Sequence, residues 1–194
     1  MKFAKLALGM LVIGILSGPT SLYAQRQGID VSRSSVKIRV FKSGMFSAFA
    51  HDHEIQAPID GGEIDSSANP SVQLRMDARK MRVLDPEISV DSRADIQRTM
   101  EGAEVLDVEH FPEISYHSTA IVSSGSGHWD VRGNLNMHGK NQPVAVSVSL
   151  EGGHYRGFAS FKQSQFGITP IRIAGGAIRV KDEVKIEFDI VSVQ

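Results

Sequence analysis

The feature that most constrains this chain is an alternation of apolar and polar residues that recurs along most of its length. It is clearest near the C-terminus, where Val184, Ile186, Phe188 and Ile190 alternate with charged residues. A repeat of two places successive side chains on opposite faces of a β-strand. The same alternation occurs at Val36–Val40, Val72–Met76, Trp129–Met137 and Val144–Leu150, and more weakly at Ile114–Val122, His51–Ile59 and Tyr155–Phe161. The sequence therefore predicts an all-β fold of about eight antiparallel strands.

Glycine-rich segments separate the predicted strands and are typical of turns. They are Gly61-Gly62, Ser123–Gly127, Gly139–Asn141 and Gly152-Gly153. One longer stretch, Ser92–Glu104, favours a helix because Ile96, Met100 and Ala103 fall at helical spacing, with Asp91 as candidate N-cap. A short helical turn is also predicted at Met45–Ala50. Strands that each have one apolar face can bury that face in a β-sandwich or in a closed barrel. The periodicity fits both architectures and does not choose between them.

The N-terminal segment has the layout of a secretory signal peptide. Lys2 and Lys5 precede an apolar run, Leu6–Leu16, and Ala24 provides a small residue at the expected cleavage site. The apolar run has about 11 residues, well short of the roughly 20 that a membrane-spanning helix needs. We therefore predict a signal peptide over residues 1–24, a lead-in over 25–34, and export to the periplasm or cell exterior of a bacterium.

Composition excludes several classes of protein. The chain has 22 acidic and 21 basic residues, whereas nucleic-acid binders usually carry a basic excess. It has no cysteine, which rules out disulfides, thiolate metal sites and a cysteine nucleophile. We expect neither a nucleic-acid partner nor a cofactor, and no integral membrane segment after cleavage. Composition does not determine the oligomeric state, and both a monomer and a dimer are compatible with it.

Four segments together resemble the YceI-like family of exported lipid-binding proteins. They are Val105–Ser118, Val131–Val144, Gly44–Glu54 and Phe166–Ile168, in the family's order between about residues 28 and 193. The resemblance implies an eight-stranded, lipocalin-like antiparallel barrel over residues 28–193, with one short α-helix. It also implies an elongated internal pocket for a polyisoprenoid or another long amphiphile. Leu106 stands where the family often has an aromatic residue, which would reshape a pocket wall.

Methionine and phenylalanine side chains are candidates for lining such a pocket. A polyisoprenoid tail offers no hydrogen-bonding groups, so its site must be apolar, and the flexible thioether of Met adapts to an irregular ligand. The alternative is that these side chains simply fill the core. The candidates are Phe41, Met45, Phe46, Phe49, Met76, Met81, Met100, Phe111 and Met137.

Two histidines raise an alternative function. On a strand, His51 and His53 would share a face, where they could orient a ligand head group or hold Zn²⁺ or Cu²⁺ with His117 or His138. The first hypothesis is a non-catalytic protein that binds an isoprenoid quinone, a polyprenyl lipid or a fatty-acid derivative for transport, storage or stress protection. The alternatives are a periplasmic metal-binding module and a hydrolase-like enzyme, although no nucleophile elbow, phosphate loop or zinc-protease motif occurs.

Overall fold

The computed structural model describes residues 26–44 and 52–193, except for the side chains of residues 173 and 174. These residues form a single antiparallel sheet, one α-helix and three short 3-10 turns. The helix, α1, spans Val90–Glu101. The strands are β1 Arg26–Gly28, β2 Ser35–Ser43, β3 His53–Gln56, β4 Ile59–Asp65, β5 Ser71–Asp77, β6 Arg82–Val83, β7 Glu113–Gly125, β8 His128–Met137, β9 Lys140–Glu151, β10 His154–Lys162, β11 Arg172–Ile173 and β12 Ile178–Val191. The all-β prediction is confirmed.

The sheet is curled, as its strand order shows. Neighbouring strands follow the order β1-β4-β5-β7-β8-β9-β10-β12-β2-β3-β6, and β11 pairs with β12. Strands β3 and β4 lie near opposite ends of this order, yet only Ala57 and Pro58 separate them in the chain. A bridge between Ile29 and Ser192 also links the end of β1 to the segment after β12. The sheet must therefore bend round until its two end regions meet.

The described residues form twelve strands, and the sequence predicted about eight. Three of the additional strands, β1, β6 and β11, are only two or three residues long. The fourth arises because the predicted strand His51–Ile59 is interrupted after Gln56. Pro58 has no N–H to donate to a sheet ladder, so the strand breaks there and resumes at Ile59. His51 lies outside the described residues, as does the turn predicted at Met45–Ala50.

The prediction of a turn at Gly61-Gly62 is wrong. Both glycines lie inside β4, where the register with β5 shifts between Ile59 and Gly61. A Cβ added to Gly62 would lie 2.9 Å from Cδ1 of Ile29 and would also collide with the carbonyl oxygen of Gln73. Glycine within a strand often marks such a close backbone approach. Gly62 therefore allows tight strand packing rather than a change of direction.

Helix α1 exists, but its boundaries differ from those predicted. It begins at Val90 and ends at Glu101, with Ser89 as N-cap in place of Asp91. The Ser89 hydroxyl accepts a hydrogen bond from the backbone N–H of Ser92 at 3.2 Å. Serine and aspartate cap helices about equally well, so local sequence does not decide between them.

The curled sheet has two ends that differ in packing. The β4–β5, β7–β8 and β9–β10 connections lie at one end, which we call the open end. At the other, which we call the closed end, the segment between β5 and β7 contributes β6 and α1. Several side chains there are buried, including Ala78, Met81, Phe166 and Ile168. Part of the hydrophobic core therefore lies at the closed end, and Ile190 and Val191 are buried where β12 reaches the open end.

Candidate ligand-binding cavity

The inner face of the curled sheet encloses a cavity of about 390 Å³. This volume falls within the roughly 300–1,000 Å³ that small-molecule sites usually occupy. The apolar part of its wall comes from inward positions of eight strands, β2, β4, β5, β7, β8, β9, β10 and β12. The residues are Val36, Ile64, Val72, Leu74, Met76, Tyr116, Ile121, Trp129, Val131, Leu135, Val144, Val146, Val148, Tyr155, Ala159, Ile186, Phe188 and Ile190. The period-two pattern thus lines one continuous apolar chamber.

Two interior glycines help to keep this chamber open. A Cβ on Gly133 would lie 2.5 Å from the hydroxyl oxygen of Tyr116, and one on Gly157 would lie 2.6 Å from Cζ of Phe188. Both aromatic rings therefore lie across the backbone of a neighbouring strand, where a larger residue would push them away. Aromatic side chains that lie along the wall leave the centre of the chamber free.

The hydroxyl of Tyr116 is held in the wall and is not exposed to solvent. It donates a hydrogen bond to the carbonyl of Val144 at 3.3 Å, and the side chain is buried. Burial raises the pKa of the Tyr116 phenol to about 12, because the phenolate would be poorly solvated there. Tyr116 is therefore neutral over the physiological pH range and contributes an apolar ring to the chamber.

Exposure of the wall changes along a single strand. On β8, Val131 and Leu135 are each 5% exposed, whereas Trp129, at the open end, is only partly buried. Other wall residues near the open end, among them Ile64, Val72, Val148 and Tyr155, are also only partly buried although they face inward. The cavity wall continues to the exposed residues Ser66 and Pro70 of the β4–β5 connection. The chamber therefore reaches the surface beside this connection.

The polar residues of the cavity wall cluster at this opening. They are Asp65, Ser66, Ser67 and Ser71, all at the β4–β5 connection. The Asp65 carboxylate accepts a hydrogen bond from the backbone N–H of Ser67 at 2.9 Å. This bond, with help from the Ser67 hydroxyl and from Arg26, lowers the pKa of the Asp65 carboxyl. The Asp65 carboxylate at the opening is therefore ionised at neutral pH, with the Arg26 guanidinium 3.5 Å from it.

One of the predicted lining residues lies on the cavity wall and three lie elsewhere in the core. Met76 lines the cavity. Met81, Met100 and Met137 are buried, with exposures of 3%, 6% and 8%, in the core outside that wall. Leu106, expected to reshape a pocket wall, is also in this core.

The predicted phenylalanines lie away from the cavity or outside the described residues. The ring of Phe111 packs edge-on against His138, with ring centroids 5.0 Å apart. Phe41 lies near two cations, 5.8 Å from Nζ of Lys181 and 5.5 Å from Nζ of Lys185. Met45, Phe46 and Phe49 fall outside the described residues.

Two of the histidines proposed as metal ligands, His53 and His138, have other partners. Nδ1 of His53 lies 2.6 Å from Oδ2 of Asp85, a carboxylate that also accepts the backbone N–H of Glu54 at 2.8 Å. Nδ1 of His138 pairs with the carbonyl of Phe166 at 3.0 Å. Over residues 26–44 and 52–193, no three metal-ligating side chains come together. His51 lies outside this range, so the His51–His53 pair stays a prediction.

Sequence reasoning missed most of the wall because it selected residues by type. Trp129, Val146, Tyr155 and Phe188 occupy inward positions of strands that the alternation already identified. Following inward positions along each strand, in place of choosing methionines and phenylalanines, would have found them. The polar opening gave no signal in the sequence, because a serine-rich turn is typical of any β-sheet protein.

Comparison with known proteins identifies a family. A model of the YceI-like domain matches residues 28–192, which confirms the resemblance found in the sequence motifs. A UPF0312 protein of Vibrio cholerae is 25% identical over 107 residues, covering 51% of this chain and 57% of that protein. Such matches span between 32% and 61% of the length of the curated relatives.

Two solved structures share the fold. Burkholderia cenocepacia BcnA superposes with a TM-score of 0.60 at 21% identity, covering 84% of this chain and 98% of that one. A polyisoprenoid binding domain from Saccharophagus degradans, implicated in plant cell wall breakdown, gives 0.54 at 12% identity, covering 84% and 95%. Among the described residues, no helix is both long and apolar enough to cross a bilayer.

Proposed function

The chain belongs to the YceI-like family, and from this premise we propose that it is a non-catalytic binding protein for a long, largely apolar molecule. The ligand would be a polyisoprenoid, an isoprenoid quinone or a fatty-acid derivative, held inside a lipocalin-like barrel with eight main strands. Transport, storage or protection of that molecule would be its role. The polyisoprenoid binding domain from Saccharophagus degradans shares the fold and supports this ligand class.

The observation that carries the proposal is the apolar chamber on the inner face of the sheet. Its volume of about 390 Å³ is far larger than the voids left by ordinary side-chain packing. Water gains few hydrogen bonds against such a wall, so a hydrocarbon chain that displaces it is stabilised by about 25 cal/mol per Å² of apolar surface buried. A long apolar tail therefore suits the chamber better than a polar metabolite.

The residues of the wall also support a role without catalysis. Besides the two tyrosines and Trp129, its polar side chains are serines and the Asp65 carboxylate, and the wall includes no histidine or lysine. The lowered pKa of the Asp65 carboxyl makes it a weak base, whereas a serine nucleophile needs a base able to remove its proton. The opening is better suited to hold a head group than to cleave one.

We propose further that the mature protein acts outside the cytoplasm. The charged, apolar and small-residue sequence of the first 24 residues supports export, and cleavage near Ala24 would release a chain that begins at Gln25. An exported carrier would protect an apolar molecule from water between membranes or outside the cell.

Native mass spectrometry of the protein purified from its own host tests the proposal. We expect a mass above that of the polypeptide, and organic extraction should release a single class of lipid. A matched pair of variants on β9 supplies the control. Val146→Trp places a bulky side chain in the chamber, and Ser147→Trp adds the same side chain at the adjacent position, outside the wall residues of that chamber.

The expected result is loss of the bound lipid in Val146→Trp and its retention in Ser147→Trp. Circular dichroism of both variants shows whether each has kept its sheet. If the unmodified protein carries no lipid and takes up none from a mixed lipid extract, the proposed function is wrong. A bound divalent ion in place of a lipid would support the metal-binding alternative at His51 and His53.

A further inference from the structure

Basic side chains gather without acidic partners on the outer face of the sheet, toward its closed end. They come from the first half of β12, from β11 and from the end of β10: Lys162, Arg172, Arg179, Lys181 and Lys185. All five are exposed. None of the five forms an ion pair with another residue that the structure describes. We call this group the basic patch.

Basic residues nearer the open end of the same face do have acidic partners. The guanidinium of Arg39 on β2 lies 3.4 Å from the Glu187 carboxylate on β12. On β10, Nε of Arg156 donates a hydrogen bond to the Asp189 carboxylate at 2.9 Å. On β10 and β12, the basic residues without an acidic partner therefore lie toward the closed end.

Two acidic residues lie among the basic ones without neutralising the patch. Asp182 is held by Ser164, whose backbone N–H and hydroxyl donate to the carboxylate at 2.9 and 2.6 Å. Glu183 lies opposite Lys162 in the register of β10 and β12, but these two described side chains form no ion pair. The patch is therefore positive on balance. Because the whole chain has 22 acidic and 21 basic residues, the remainder of the protein is net negative.

Like charges are held close together at two places in the patch. Arg172 and Arg179 lie directly opposite each other on β11 and β12, where a pair of like charges is destabilising. The Nζ atoms of Lys181 and Lys185 lie 5.8 and 5.5 Å from the centroid of the same Phe41 ring. The ring attracts each ammonium group, but the two ammonium groups repel each other. A surface with negative charges would relieve the repulsion at both places.

We propose that the basic patch docks the protein on a bilayer that contains anionic phospholipids. The exposed basic side chains spread over one face of a sheet, and they match the array of phosphate groups on a membrane surface. Each basic residue near such a surface strengthens binding by about fivefold. The same bilayer repels the net negative remainder of the protein, which turns the patch toward the membrane. Because the patch lies toward the closed end, docking leaves the cavity opening uncovered. This inference goes beyond the proposed function, since it concerns the outer face of the sheet and not the cavity.

Flotation of the purified protein with vesicles tests the docking. We expect binding to vesicles of phosphatidylglycerol and phosphatidylethanolamine at about 50 mM salt, release at about 500 mM salt, and no binding to phosphatidylcholine vesicles. Changing Lys181 and Lys185 together to glutamine should weaken vesicle binding by about twentyfold. The matched control changes Arg33 and Arg132 to glutamine, because both are exposed outside the patch and neither forms an ion pair with another described residue. This control should bind almost as well as the unmodified protein, and circular dichroism shows whether each variant has kept its sheet.

Absence of flotation with the anionic vesicles, or an equal loss of binding in the two double variants, would overturn the proposal. Binding to a soluble polyanion such as heparin, without binding to the vesicles, would also overturn it, because the patch would then recognise a polymer and not a bilayer. Val146→Trp separates this inference from the proposed function, since it blocks the chamber and leaves the patch unchanged. We expect this variant to lose its lipid and still float with the anionic vesicles. If the unmodified protein carries a lipid but does not dock, the carrier function stands and only the present inference is wrong.

Discussion

Exchanging methionine for alanine at Met76 and at Met137 tests whether the structure divides the inner face correctly into cavity wall and filled core. Both methionines occupy inward positions of strands in the same sheet. Met137 is 8% exposed and belongs to the buried core, whereas Met76 is only partly buried and lines the cavity. The two substitutions delete the same atoms, so any difference in their effect on stability reflects the surroundings.

The expected losses of stability follow from burial. Alanine removes three groups beyond Cβ, at about 0.8 kcal/mol for each buried group, or roughly 2.4 kcal/mol for a fully buried side chain. At Met137 a new void adds to this loss, which should fall in the range of about 2–5 kcal/mol. At Met76 part of the side chain already faces open space, and its removal only enlarges an existing cavity. We expect about 1 kcal/mol there.

Urea unfolding of the lipid-extracted protein, monitored by circular dichroism, measures both losses. A bulky replacement should give the same order of the two positions: Met137→Trp overpacks the core and destabilises the protein by about 1–3 kcal/mol, whereas Met76→Trp fills empty space at little cost while blocking ligand binding. If Met76→Ala costs as much as Met137→Ala, or if Met76→Trp destabilises the protein strongly, then Met76 packs in a filled core and the reasoning is wrong.

Four further results are expected. Because burial raises the pKa of Tyr116 from 10.0 to about 12, the stability contributed by the neutral phenol is complete below pH 10 and is lost as pH rises toward 12. Between pH 9 and pH 11.5 the free energy of unfolding of the unmodified protein should therefore fall by on the order of 2 kcal/mol more than that of Tyr116→Phe, and equal falls would contradict this burial. Gly157→Ala should lower the free energy of unfolding by more than about 1 kcal/mol, because the new Cβ would lie 2.6 Å from Cζ of Phe188, whereas Ser160→Ala on the same strand should change it little. The intact mass of the protein from the exported fraction should correspond to a chain beginning at Gln25, and a full-length chain retained in the inner membrane would refute export. Calorimetry should detect no submicromolar Zn²⁺ or Cu²⁺ site, and such a site, lost when His51 and His53 are both changed to alanine, would favour the metal-binding alternative.

The sequence alone determined the position of the longer strands and the face that each one buries. Side chains alternate along a strand whatever the strand packs against, so the inward positions of β5, β8, β9 and β12 could be predicted from local pattern. Helix α1 could also be predicted from local pattern, because its apolar residues fall at helical spacing. Local propensity could not decide whether Ser89 or Asp91 is the N-cap, since both residue types cap helices well. The role of Gly61-Gly62 could not be predicted from local sequence, because Ile29 and Gln73, which lie close to Gly62, come from other strands or loops of the fold.

Only the tertiary structure decided which inward side chains face a void. Met76 and Met137 have the same local pattern, yet Met137 is buried among residues of the closed end, such as Phe166 and Ile168, while Met76 faces open space. The segment between β5 and β7, with β6 and α1, packs against one end of the sheet, and within residues 26–44 and 52–193 no comparable segment fills the other. A cavity is the space that packed elements leave between them. Its position therefore depends on contacts between residues far apart in sequence, which an alternation within single strands does not encode.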